Sequence, residues 1–237
     1  MLDTIARNGD ACAMRYNGGK GVCFPLLINL MPRHTRYIET HLGGGAVMRN
    51  KRPAQQQIGI DIDPAVAELW NRQWPGLCEV INSDAVDYLE RSALDGETLI
   101  YADPPYLPET RRRSRVYRHD YSANDHERLL ECLTAVPCKV MISGYPSSLY
   151  ERYLGGWSTH RFQARTHVET KEEWVWFNYS KPSVLHDDRY FGENFREREV
   201  IRRRQDRLRH RIDRLSVTEQ VSLYSWLRNK VAEERLI

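Results

Sequence analysis

The sequence contains no run of about 18 apolar residues, the length a helix needs to cross a bilayer, so no membrane span is expected. Its first residues, Met-Leu-Asp-Thr-Ile-Ala-Arg, lack the apolar core of a secretory leader. Cysteine is sparse: Cys12, Cys23, Cys78, Cys132 and Cys138 are odd in number, scattered, and never in a Cys-x-x-Cys pair. That pattern argues against both a disulfide framework and a zinc site. The eight histidines form no metal-ligand spacing either. A reduced, cytoplasmic protein without metal is the expectation. Charge of one sign is not in great excess: the net charge is only +3 and says little about partners by itself.

What is present suffices for one α/β domain of ordinary size with an appendage: 237 residues, 41% of them hydrophobic. The chain is organised around Leu99-Ile-Tyr-Ala-Asp-Pro-Pro-Tyr106, where an apolar, β-prone run breaks into an acid, two prolines and a ring. Pro104 and Pro105 cannot donate ladder hydrogen bonds, so the strand must stop there. Asp103 is thereby delivered at the carboxyl end of a buried strand, where open α/β sheets place their ligands. A carboxylate, a rigid carbonyl and the flat face of Tyr106 suit a planar substrate that bears an amino group. An ordinary strand-end turn with a capping Asp is the plain alternative.

Three β–α units precede that strand. Arg36 to Met48 reads as a strand running into a glycine loop and a helix start, with Gly43 and Gly45 spaced for a tight turn under a nucleotide-like ligand. Ile58 to Asp63 is a second strand ending in acid, about 18 residues beyond the glycines, where a carboxylate suits ribose hydroxyls. Pro64 opens the next helix. Val80 to Asp84 is a third strand ending in acid. This repetition predicts a Rossmann-like, doubly wound and mostly parallel sheet. Ser122 to Asp125 is a helix start and Lys139 to Gly144 a fifth strand. Thr159 to Val168 and Glu173 to Tyr179 form a hairpin, so one strand runs antiparallel. Composition shifts after Pro182, which divides the chain into a domain over 1–182 and a basic helical extension over 183–237. Ile201, Leu208, Ile212 and Leu215, then Val217, Val221, Tyr224 and Leu227, read as apolar stripes of an antiparallel helix pair, expected to be buried. Ser216 to Glu219 is a capping-box pattern opening the last helix.

Asn17-Gly-Gly-Lys20, Glu39-Thr-His-Leu-Gly-Gly-Gly45, Asp61-Ile-Asp63, Asp84 and Asp103-Pro-Pro-Tyr106 occur in the order seen in Dam-like (D12 class) DNA adenine-N6 methyltransferases. The resemblance covers roughly residues 14 to 180. It implies the class I methyltransferase fold, S-adenosylmethionine as cofactor and double-stranded DNA, with base flipping, as partner. It further implies a cofactor site made of Tyr16, Lys20, Glu39, His41, Gly43, Gly45, Asp61, Ile62, Asp84 and Ala85. In that reading Asp61 holds the ribose and Asp84 lies near the cofactor's adenine amine. Asp103, Pro104, Pro105 and Tyr106 would clamp the target adenine. Two departures stand out. His41 replaces the phenylalanine usual in the family. Only 18 positions, 85–102, separate Asp84 from Asp103, where Dam-like enzymes carry their target-recognition segment. No specificity can therefore be carried over; the loop from Leu107 to Tyr121 and the C-terminal helices are the candidates to replace that segment, and Arg111, Arg112, Arg113, Arg115, Tyr117 and Arg118 of the loop become the candidate DNA contacts, since arginine reaches phosphates and guanine edges.

In such a site Asp103 and the Pro104 carbonyl would accept both N–H bonds of the adenine amine and aim its lone pair at the methyl group, mainly by alignment and charge stabilisation. Tyr106 would stack on the flipped base. The same clamp would serve RNA adenine-N6 or DNA cytosine-N4 methylation. A nicotinamide-dependent oxidoreductase would account for Gly43, Gly45 and Asp61, but its third glycine position holds Met48 and it has no use for Asp-Pro-Pro-Tyr. A non-catalytic nucleic-acid-binding protein would leave the intact acids unexplained.

Overall fold

The computed structural model describes residues 20, 21, 23–110, 118–165 and 170–234. Among them, β1 (Arg36–Glu39), β2 (Gln56–Asp61), β3 (Glu79–Asn82), β4 (Thr98–Ala102), β5 (Lys139–Gly144), β6 (Ser158–Arg165) and β7 (Thr170–Phe177) form one sheet in the order β3-β2-β1-β4-β5-β7-β6. The first five are parallel, and β7 runs antiparallel to both β5 and β6. A short link between β6 and β7 permits only a hairpin, so the inserted strand is the antiparallel one.

Parallel strands need helical crossovers, and the sequence supplies their starts. α2 (Ala46–Asn50) leaves the glycine loop, and α3 (Pro64–Gln73) has proline at its first position and Asp63 accepting from the Ala65 amide. α4 (Ala85–Arg91) is capped by Asp84, and α5 (Ala123–Ala135) by a reciprocal Ser122–Asp125 box. α6 (Ser148–Leu154) follows β5, and α1 (Phe24–Ile28) precedes the sheet. β4 is buried at every position, as a central parallel strand must be. Ile38, Ile60, Ile100, Val140 and Ile142 pack with Leu129, Leu130 and Leu133 of α5 and Leu89 of α4. Alternate residues Tyr37, Leu99, Tyr101 and Met141 face the other way and are equally buried. Truncating one of these side chains, Ile100→Ala for instance, would cost about 2–5 kcal/mol.

Strand order reverses between β1 and β4, where Glu39 stands in register with Tyr101. Ligands of open α/β sheets bind at that switch point, beyond the carboxyl ends of the strands. The glycine loop leaves β1 there and Asp103 leaves β4 there.

The chain divides into two compact units, up to Asp188 and from Arg189 onward. The boundary lies past the compositional break at Pro182 because 183–188 are held to the first unit. Leu185 bridges Pro32, the Asp187 carboxylate accepts from the Arg52 amide at 2.7 Å, and Asp188 pairs with the Arg52 guanidinium. The second unit contains α7 (Phe195–Ile212) and α8 (Val217–Glu234), the latter opened by the expected Ser216–Glu219 box. The expected burial of their stripes is not observed. Ile201 is buried and Ile212 and Leu215 are half-buried, but Leu208, Val217, Val221, Tyr224 and Leu227 are exposed. Periodicity identifies a face that would favour cover; among the described residues no apolar surface supplies it.

Candidate active site

The glycine loop, residues 40–45, is held by contacts that leave it little freedom. Gly43 and Gly45 both adopt positive φ (43° and 53°), a conformation costly for residues with a Cβ. The Gly43 amide donates to Asp61 Oδ2 at 2.8 Å, the Asp63 amide to Asp61 Oδ1 at 2.9 Å, and Trp70 Nε1 to the Gly43 carbonyl at 2.8 Å. Leu42 is tied to the Ile60 carbonyl at 2.9 Å. Burial raises the Asp61 pKa, opposed by the two amides. One amide on each oxygen leaves further acceptor positions on a carboxylate. A Cβ at Gly45 would lie 2.0 Å from Trp70 Cζ2, so the ring and the loop are fitted to each other.

This loop lines one side of a cleft of about 890 Å³, counted out to its open mouth. Lys20, Glu39, His41, Gly43, Gly45, Asp61, Ile62 and Ala85 all line it, as do Asp103, Pro104, Pro105 and Tyr106. Asp84 does not. Its carboxylate caps α4 through the Val86 and Asp87 amides and receives Arg128 at 3.0 Å. Its neighbours Ser83 and Ala85 line the cleft instead. Tyr16, Arg111, Arg112, Arg113, Arg115 and Tyr117 lie outside the described residues.

At the other side, β4 delivers Asp103 as expected. Its Oδ1 receives the Ser143 hydroxyl of β5 at 2.6 Å and the Lys20 ammonium at 2.8 Å. Lys20 is 6% exposed, donates also to the Tyr106 hydroxyl, and lies 3.5 Å from Glu173 Oε2. Burial alone would lower the Lys20 pKa, but Asp103 and then Glu173 outweigh it and raise it well above the ordinary lysine value. Glu173 is itself raised, by burial first, with Lys20 opposing. Tyr106 is 7% exposed, its ring edge-on to Tyr145 with centroids 4.5 Å apart. Lys20 Nζ lies over the same ring, 4.9 Å from its centroid.

Glu39 is buried and accepts from the Tyr37 hydroxyl at 3.0 Å. Burial pushes its carboxyl up to about 8, with Tyr37 opposing and Asp103 adding to the rise. At the mouth, His41 is held at both ring nitrogens, by the Thr40 hydroxyl at 2.9 Å and the Tyr121 hydroxyl at 3.0 Å. Burial and then His126 lower its pKa to about 3, so the ring stays neutral. Arg118, the one expected DNA contact among the described residues, reaches Asp63 at 3.3 Å and remains 72% exposed.

Sequence reading missed Glu173, Ser143 and Tyr145. For Glu173 the signal was present: an acid in the inward register of Glu173-Trp-Val-Trp-Phe, with Val175 and Phe177 buried on the same alternation. Among the described residues no three metal-ligating side chains converge, and no helix is long and apolar enough to cross a membrane.

No family model matches the chain, and no curated protein matches it. Solved structures do. TrmN from Thermus thermophilus is 14% identical over 65% of this chain and 47% of its own, with a TM-score of 0.47. SMU.1697c from Streptococcus mutans, a putative methyltransferase in complex with SAH, is 9% identical over 65% of this chain and 93% of its own, with a TM-score of 0.46. The putative methyltransferase yhhF from Escherichia coli is 16% identical over 62% and 76%, with a TM-score of 0.39. At these identities and TM-scores the likeness adds nothing to the sheet itself, which is Rossmann-like, mostly parallel with one inserted antiparallel strand.

Proposed function

We propose that the protein is an S-adenosylmethionine-dependent methyltransferase acting on the exocyclic amine of adenine in DNA, of the Dam-like kind that the motif order resembles. The observation that supports this reading most is the pairing of Asp103-Pro-Pro-Tyr106 with an acid- and glycine-lined cleft at the sheet's switch point.

The residues suit this cofactor by the chemistry of their donor set. Asp61 keeps acceptor capacity for ribose hydroxyls, Ile62 and Ala85 offer apolar contact for a purine, and Glu39 and Asp103 offer further oxygen acceptors. When bound, S-adenosylmethionine supplies a methyl group activated on a sulfonium. Everything else falls to the chain. Among the described residues the polar contacts of Asp103 fall on Oδ1, and in this reading Oδ2 and the Pro104 carbonyl accept the two N–H bonds of an amine. Asp103 therefore orients the amine, and catalysis is by alignment and fixed charge. The target base must leave the duplex to reach this depth.

The reading is tested by transfer of a tritiated methyl group to DNA and to RNA, followed by nucleoside analysis, for the native chain and for Asp103→Ala. N6-methyladenine in DNA, lost in the variant, is expected. Label in RNA adenosine, or in cytosine, would overturn the choice of substrate. Undiminished turnover in Asp103→Ala would overturn the mechanism.

A further inference from the structure

Helix α7 carries a charge the rest of the chain does not. It holds eight arginines against three carboxylates, a surplus of five, whereas the whole chain is only +3, so the remainder is net negative by two. The arginines are also sorted by face. Arg202 and Arg209 pair within the helix, with Glu199 at 2.7 Å and Asp206 at 3.1 Å. Arg203, Arg207 and Arg211 recur every fourth residue along one side of the helix, and all three are exposed.

Neighbouring like charges at this spacing repel and weaken a helix. Arg209, His210 and Arg211 in the last turn are favoured by the helix dipole, but that effect fades within a turn and does not reach Arg203 or Arg207. From Arg203 to Arg211 the row spans about 12 Å at 1.5 Å per residue. Duplex DNA presents a phosphate about every 3.4 Å per strand along its axis, so such a row meets several on one strand. Guanidinium forks match phosphate oxygens in pairs.

We propose that the arginine face of α7 docks on the phosphate backbone of double-stranded DNA. The contact reads charge and not sequence, so it supplies affinity and orientation without specificity. It goes beyond the proposed reaction and would hold whatever the cleft methylates.

The test uses the full chain, without S-adenosylmethionine, and a fluorescein-labelled duplex of mixed sequence titrated by anisotropy between about 50 and 200 mM salt. The triple variant Arg203→Gln/Arg207→Gln/Arg211→Gln keeps strong helix formers and should retain its circular dichroism. It should flatten the slope of log affinity against log salt by about two to three units, near 0.9 for each phosphate no longer neutralised. The double variant Arg202→Gln/Arg209→Gln removes arginines already paired within the helix and should flatten it less. Asp206→Asn releases Arg209 and should steepen it, which keeps the test open should the triple variant fail to fold. An unchanged slope in the folded triple variant, an equal loss in the double variant, or tighter binding of duplex RNA than of duplex DNA would overturn the proposal. Because no methyl transfer is read, failure here is distinct from failure of the proposed reaction.

Discussion

Gly45→Ala is the sharpest test of how the glycine loop is built. Two costs combine at this position. A φ of +53° in a residue with a Cβ costs about 1–2 kcal/mol. The new methyl would also lie 2.0 Å from Trp70 Cζ2, and that ring cannot retreat: it is fully buried and its Nε1 is bonded to the Gly43 carbonyl. Overpacking of this kind costs about 1–3 kcal/mol. The total, about 2–5 kcal/mol, is a large part of a typical stability and should lower the melting temperature by roughly 4–20 °C in a chain of this size. Moving the indole also breaks its bond to Gly43, so affinity for S-adenosylmethionine should fall in whatever fraction stays folded. Urea unfolding gives the stability and isothermal calorimetry the affinity. Gly76→Ala is the control: its φ is +77° but nothing lies within 4 Å of the added Cβ, so it isolates the backbone cost. If Gly45→Ala destabilises no more than Gly76→Ala, the fit between Trp70 and the loop has been misjudged.

Three further outcomes are expected. Glu39, at about 8 in the fold against 4.5 ordinarily, binds more protons folded than unfolded between those values, so its contribution is intact below about 4.5 and is lost as pH rises through 8. Glu39→Gln should remove that decline, at most about 1.4 kcal/mol per pH unit, and an unchanged pH slope would refute the assignment. Asp61→Ala orphans the Gly43 and Asp63 amides as well as any ribose hydroxyl and should cost about 1–3 kcal/mol in S-adenosylmethionine affinity; unaltered affinity in the folded variant would remove Asp61 from the site. Tyr121→Phe deprives His41 Nε2 of its partner and should lower stability by about 0.5–1.5 kcal/mol in denaturant titrations, whereas no loss would mean that the bond contributes nothing.

Local chemistry made much of this molecule legible in advance. β5 spans Lys139–Gly144 as read, because an apolar run between Pro137 and Gly144 has no competing pattern. Pro64, the Ser122–Asp125 box and the Ser216–Glu219 box mark helix starts because capping involves only neighbours in sequence. The acids that follow the strands were legible as acids, and their local bonds were not. Asp84 caps its own helix and pairs with Arg128, and such a cap looks the same in sequence as a ligand. Glu173 and Ser143 reach Asp103 and Lys20 from strands far along the chain, and no local pattern reports which residues tertiary packing brings together. The α8 stripe failed in the opposite sense: periodicity was real, cover was not.

The order β5-β7-β6 also dictates a sequence of events during synthesis. β6 leaves the ribosome before β7, yet it joins the sheet only through β7, so it has no partner until residues 170–177 arrive. Throughout that interval the outer side of β5 is an unpaired edge, the kind of surface on which strands of other molecules add. A fragment ending between Arg165 and Thr170 would keep that edge permanently and would also lack Glu173. Aggregation of such fragments, and not a gradual loss of activity, is the expected outcome once shortening from the carboxyl end removes β7.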